Sequence, residues 1–333
     1  GSNPIDDTTQ DRMLVRWADQ ESLTDWYPDP NVNQAGFLRL SHGSEIVTAV
    51  QTRQEVLTIT DSSVYSLQYV GPPYVWTSQL MGDNISIMGP NAVSLASGIV
   101  YWMGKDKFYM YDGRVQTLNC DLRRYVFQDI NQLQNQQVFA STNEGFNEVW
   151  WFYCSGSSTT VDKYVIYNYL DRVWYYGSMA RTAWLDSGIR QYPMAADYNN
   201  RILFHESAVD DVSGLTPVAI DSYVQSSDFD IGDGHNFGFV WRILPDVNFN
   251  GSNVNNPQVT MTVKPRQNSG TSYGTADNPS VVKMANFAKN IGGFHGAKHK
   301  KKVDETFYKI NVDGEMALFT EDEMIDVIEN IVN

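Results

Sequence analysis

The sequence predicts a mostly β protein: β-propeller-like blades, whole or as a partial propeller, then a small β-sandwich-like module and a C-terminal hairpin-helix element. Three observations lead there. Between Ile46 and Phe204, apolar runs of four to seven residues are separated by Gly, Asp, Asn and Ser, which is a strand-and-turn pattern without long helical periodicity. Aromatic residues make up 13% of the chain, with 19 tyrosines and 9 tryptophans, side chains that suit pleated, half-buried surfaces. The leading strands of successive units are expected near Val56, Ile99, Val149 and Ile202, a recurrence of roughly 43 to 53 residues, the length of one blade. The repeat is one of architecture. Neither a GH…WD signature nor a kelch double glycine is present, and a long meander or a β-sandwich is the other arrangement the pattern allows.

Residues 1–42 read as entry strands and a loop, with the first periodic segment at Met13. The propeller-like meander is expected over 43–213. There "EVLTITDSSVYSLQYVG" gives two strands around Asp61-Ser62-Ser63, and "IVYWMGKDKFYMYDGRVQTL" gives three around Gly104-Lys105-Asp106 and Asp112-Gly113. "EVWWFYCSGSSTTVDKYVIYNYLDRVWYYG" gives three more, turning at 155–160 and near Leu170-Asp171, and "NNRILFHES" is expected to begin another unit. Residues 214–265 form the sandwich-like module, whose longer strands alternate through Phe237, Phe239, Trp241 and Ile243 and through Val259, Met261 and Val263. Residues 266–302 are a linker ending in a basic run. The segment 303–333 is a hairpin turning at Asp313-Gly314, followed by an amphipathic helix. Thr320 and Glu323 cap that helix, and Met324, Ile325, Ile328 and Ile331 form its apolar stripe, a candidate docking face.

Composition narrows the function. A net charge of −15 argues against binding nucleic acid through phosphate neutralisation, which needs clustered Lys and Arg. Cys120 and Cys154 are too few for a disulfide framework and lack zinc-site spacing, so both are expected as reduced, half-buried strand residues. No run approaches the roughly 18 apolar residues of a membrane span, and the first residues are too polar for a signal peptide. The chain does not begin with Met, which suggests a piece of a longer polypeptide with an incomplete first domain.

The stretch "SSDFDIGDGHNFGF" crowds Asp228, Asp230 and Asp233 around Gly232 and Gly234, like a calcium loop. Read from Asp228, however, loop position 5 is Gly232, position 6 is Asp233 and position 12 is Phe239, so the EF-hand ligand set is missing. A hairpin in which the glycines supply positive φ explains the stretch better. His42, His205, His235, His295 and His299 form no ligand pair, and no phosphate loop, dinucleotide fingerprint or nucleophile elbow appears. The expectation is a non-enzymatic protein with no cofactor and no metal.

Five segments together resemble a known family: "YVGPPYVWTSQLMGDNISIMGPNAV", "IVYWMGKDKFYMYDGRV", "NEVWWFYCSG", "DKYVIYNYLDRVWYYGSMARTAW" and "SDFDIGDGHNF". They are similar to the phage stabilisation proteins, the tail hub or nozzle components of short-tailed bacteriophages. The likeness runs from about Trp17 to Gly270. It is carried by Trp102, Tyr111, Trp150, Trp151, Tyr153, Tyr167, Trp174, Arg181 and Trp184, with Asp230, Gly232, Asp233 and Gly234. The resemblance implies a structural virion protein, present in host cytoplasm during assembly. It would form a homo-hexameric ring below the portal, contact the head-tail adaptor and the tail fibre or tailspike, and let DNA pass through its channel. It implies no catalytic residues. The upstream half of the family pattern is absent, and the chain from about Met284 departs from it. A carbohydrate-binding or carbohydrate-cleaving β-propeller is the alternative, with Trp150 or Trp174 stacking on sugar rings.

Overall fold

The computed structural model describes residues 10–226 except 30, 189, 213, 215 and 221, and beyond them 248, 258–262, 283–284, 308–312 and 315–319. The chain divides into two units, 1–222 and 223–333. It is mostly β, as the sequence predicts, and its sheets are small and antiparallel.

In the first unit, β1 (Leu14–Trp17) and β2 (Gly36–Arg39) form a hairpin-like pair. Three four-stranded meanders follow. The first is β3 (Ile46–Gln51), β4 (Val56–Thr60), β5 (Ser63–Gly71) and β6 (Val75–Asp83). The second is β7 (Val93–Ala96), β8 (Ile99–Met103), β9 (Phe108–Tyr111) and β10 (Val115–Leu118). After helix α1 (Arg123–Asp129) comes the third, β11 (Phe139–Asn143), β12 (Glu148–Tyr153), β13 (Lys163–Asn168) and β14 (Val173–Ser178). A three-stranded sheet, β15 (Ala183–Leu185), β16 (Met194–Ala196) and β17 (Ile202–Phe204), precedes the short pair β18 (Asp210–Asp211) and β19 (Val218–Ala219).

The first strands of successive sheets adjoin: β3 lies beside β7, β7 beside β11 and β11 beside β15. At one of these joints Asn91 bridges Phe139 in parallel, and the amide of Ala140 donates to the Asn91 carbonyl at 2.7 Å. Among the described residues the sheets do not close into a barrel or propeller.

The strands read within 56–71, 99–118 and 148–178 match the strands observed, but the expected phase of the repeat is corrected. Val56 and Ile99 open second strands, Val149 lies in a second strand, and Ile202 opens the third strand of a sheet that begins at Ala183. The physical reason is burial. The first strands β3, β7 and β11 are mostly half-exposed and mix polar with apolar residues, whereas β4, β8 and β12 are almost wholly buried. Apolar runs therefore mark the inside of each sheet and not its start. The true starts, at 46, 93, 139 and 183, recur at roughly 45 residues, a tighter spacing than the apolar runs suggest.

The core follows from the two-residue period of the strands. In β12, Val149, Trp151 and Tyr153 face a large core shared by the first three sheets, and Trp150, Phe152 and the following Cys154 face a second core. β13 divides likewise: Val165 and Tyr167 go to the large core, Ile166 to the second. A strand buried on both faces reads as a continuous apolar run, and "EVWWFYC" is one. A third, smaller cluster packs Met13 and Leu40 beside β1 and β2 on Tyr65 and Leu67 of β5.

In the second unit, β20 (Met261–Thr262) pairs with β21 (Lys283–Met284), and β22 (Tyr308–Val312) with β23 (Glu315–Phe319). The last pair sets Val312 opposite Glu315, the hairpin expected around 313–314. The strand at 237–243, the linker's basic run and the helix at 321–332 lie outside the described residues.

Candidate functional site

Among the described residues, a dense polar and aromatic constellation lies between the third and fourth sheets. Trp150 of β12 stacks on Trp184 of β15, centroids 4.9 Å apart and planes at 22°, and on Tyr164 of β13 at 4.9 Å. Trp184 donates its indole N–H to the Thr142 carbonyl at 3.0 Å and meets the His205 ring at 4.6 Å. Arg181 Nε donates to His205 Nε2 at 3.1 Å, so that nitrogen carries no proton and the ring is neutral. Burial, and then the Arg181 charge, push the His205 pKa down to about 4. Burial likewise lowers the Arg181 pKa.

Beside this stack, Glu148 Oε2 accepts from Trp150 Nε1 at 2.9 Å and from the buried Asn143 Nδ2 at 3.3 Å. The same amide nitrogen lies 3.4 Å from Glu206 Oε1. Burial raises the Glu148 carboxyl above its ordinary range; the Trp150 bond opposes this and the Glu206 charge adds to it. Glu206 is held in the left-handed backbone region, φ 57°. Glu148 and Glu206 thus share one amide donor. The rings beside them stack on one another, so this is the chemistry of a joint between sheets.

The other motif residues are also built into the sheets. Trp102 is fully buried, stacks on Tyr109 at 5.3 Å and donates to the Ser86 carbonyl at 3.3 Å. Trp151, also fully buried, donates to the Ala92 carbonyl at 3.1 Å and so ties the third sheet to the second. Trp174 packs on Phe108 at 4.7 Å and on Tyr167 at 4.8 Å, and donates to the Asn119 carbonyl at 2.8 Å. Tyr153 is buried with a hydroxyl that has no hydrogen-bond partner among the described residues. Tyr111 donates to Glu55 across the first joint at 2.6 Å. Asp228, Asp230, Gly232, Asp233, Gly234 and the helix residues Met324, Ile325, Ile328 and Ile331 lie outside the described residues.

Cys120 and Cys154 are not strand residues. Each follows a strand, Cys120 half-buried and Cys154 buried, both as free thiols. Among the described residues no group of three or more His, Cys, Asp or Glu is placed to hold a metal ion, and no helix is long and apolar enough to cross a membrane. Sequence reading missed the polar half of these joints: Glu55 and Glu206 sit outside the strands and Asn143 ends β11, none with a spacing signal, and His205 stands out only by being one of five scattered histidines. The chain matches no protein-family model and no curated protein.

Proposed function

We propose that the chain is a structural, non-enzymatic part of a short-tailed phage tail, a hub or nozzle whose consecutive sheets are propeller-like blades. The observation that carries this reading is the stack itself: three four-stranded meanders and a fourth sheet, met in chain order, with first strands adjoining and one pair bridged in parallel. Inner strands of propeller blades run side by side in this way. The described residues that carry the family resemblance serve these sheets and their joints, which is what a scaffold needs of them. The acidic balance of −15 suits a conduit, since carboxylates repel the phosphate backbone and let DNA slide.

In this reading the protein acts as a homo-hexamer between the adaptor and the fibre or tailspike. Negative-stain electron microscopy, alone and with a portal-adaptor protein, tests it. Six-fold rings are expected, and persistent single particles with no adaptor binding overturn it. The carbohydrate-binding or carbohydrate-cleaving alternative loses its named platforms, since Trp150 is buried and the Trp174 ring packs on Phe108 and Tyr167. A sugar surface has to lie elsewhere on the chain.

A further inference from the structure

We propose that a cleft between the β1–β2 pair and the far end of β5–β6 binds a short neutral saccharide. Three rings line it: Trp17 at the end of β1, Tyr69 of β5 and Trp76 of β6. Gln20 and Gln34 line it too, and Val75 contributes a buried apolar wall. Its volume is about 390 Å³, at the lower end of the range for small-ligand sites and suited to one or two sugar rings. The lining carries no charged side chain.

The chemistry of this lining selects the ligand. A pyranose presents a C–H face that packs on an aromatic ring, and a rim of hydroxyls that needs both donors and acceptors. Aromatic rings supply the first, and amides, which offer two donors and an acceptor, supply the second. The side-chain amides of Gln20 and Gln34 make no hydrogen bond to protein among the described residues. A wholly apolar ligand would make no use of these amides, and an anionic one would find no cation in the lining. A hydroxyl-rich neutral ligand satisfies them.

The platform is also held in place before any ligand arrives. Trp17 Nε1 donates to the backbone carbonyl of Gln34 at 2.8 Å, and the backbone N–H of Gln34 donates to Asp19 Oδ1 at 2.7 Å. The indole lies flat enough on Gly36 that any Cβ there would meet the ring. Tyr69 and Trp76 form an edge-to-face pair, 5.7 Å between centroids at 72°. Val75 adopts φ 58°, a left-handed conformation that a β-branched residue rarely takes, so backbone strain is concentrated at the wall of the cleft. Rings that do not have to be ordered on binding lower the entropic cost of stacking a sugar.

The test uses the full chain on an array of neutral glucose, galactose, mannose and N-acetylglucosamine oligomers, with sialylated and sulfated counterparts and proline-rich peptides. The best hit is then titrated by tryptophan fluorescence. Neutral oligosaccharides should bind, with no gain from sialic acid or sulfate. Trp76→Ala should weaken the hit at least tenfold. Gln20→Ala, at an exposed position, should weaken it severalfold without disturbing the fold. Tyr175→Ser on the third sheet should leave it unchanged. No neutral hit, binding that survives both cleft variants, or capture of a proline-rich peptide instead would each overturn the assignment. Ring formation is read separately by microscopy, so the saccharide site and the tail-hub reading stand or fall independently.

Discussion

Tyr111 of the second sheet donates its hydroxyl to Glu55 Oε1 of the first at 2.6 Å, while Ser66 and Gln68 donate to the other oxygen of the same carboxylate. One half-buried anion thus collects donors from two sheets. Removing the hydroxyl in Tyr111→Phe should cost about 1.5–3 kcal/mol, the scale of a hydrogen bond to a charged group. Denaturant unfolding measures it, with the midpoint falling and the slope unchanged.

The same carboxylate has a pH signature. Burial pushes Glu55 upward, yet the bonds from Ser66, Tyr111 and Gln68 outweigh it and hold the pKa below 4.5. A depressed carboxylate contributes stability above its unfolded pKa, and that contribution is lost as pH falls through the folded one. Thermal melts of the wild type should therefore drop below about pH 4.5 more steeply than those of Glu55→Gln. Parallel curves would show that the joint does not depend on this charge.

At the third joint two groups work in opposite directions. His205 is held neutral down to about pH 4 against an ordinary 6.5, so the unfolded chain takes up a proton first and stability falls between pH 6.5 and 4. Glu148 is raised, so the folded chain takes up its proton first and stability rises as pH falls toward 4.5. His205→Gln should remove the decline, and Glu148→Gln should remove the gain and deepen the net loss. An NMR titration of the His205 ring with a midpoint near 6.5 would show that the Trp184 and Arg181 contacts do not persist in solution.

Trp184 fastens the three-stranded sheet to its neighbour. Trp184→Ala removes its stack on Trp150 and its bond to Thr142, a loss of about 3 kcal/mol by the usual cost of truncating a large ring. Amide exchange should speed up over 183–204 while strands 99–111 keep their protection. Uniform loss across both would mean that the sheets unfold as one cooperative block.

Two turn glycines should respond differently to alanine. A Cβ on Gly104 would lie 2.6 Å from the Tyr109 ring and 2.9 and 3.0 Å from the carbonyl oxygens of Lys107 and Ser86, and such overpacking costs about 1–3 kcal/mol. Gly98 has φ 81° and open space around it, so Gly98→Ala should cost only about 1 kcal/mol, for the left-handed backbone alone. Chemical denaturation of both variants separates steric from conformational cost.

The sequence by itself determined the strands within 56–71, 99–118 and 148–178, because alternation and turn residues are local properties read over a few neighbours. The adjacent Trp150 and Trp151 fall in one of those strands. The tertiary structure decided which face each one serves: Trp150 and Trp151 go to different cores because a pleated strand turns successive side chains to opposite sides. It corrected the phase of the repeat, since an apolar run reports burial and the first strand of each four-stranded sheet is less buried than the second. It also brought together Tyr111 with Glu55, Arg181 with His205, and Trp17 with Trp76. Those pairs lie far apart in the chain, and no local pattern encodes a contact made only when separate sheets and hairpins pack together.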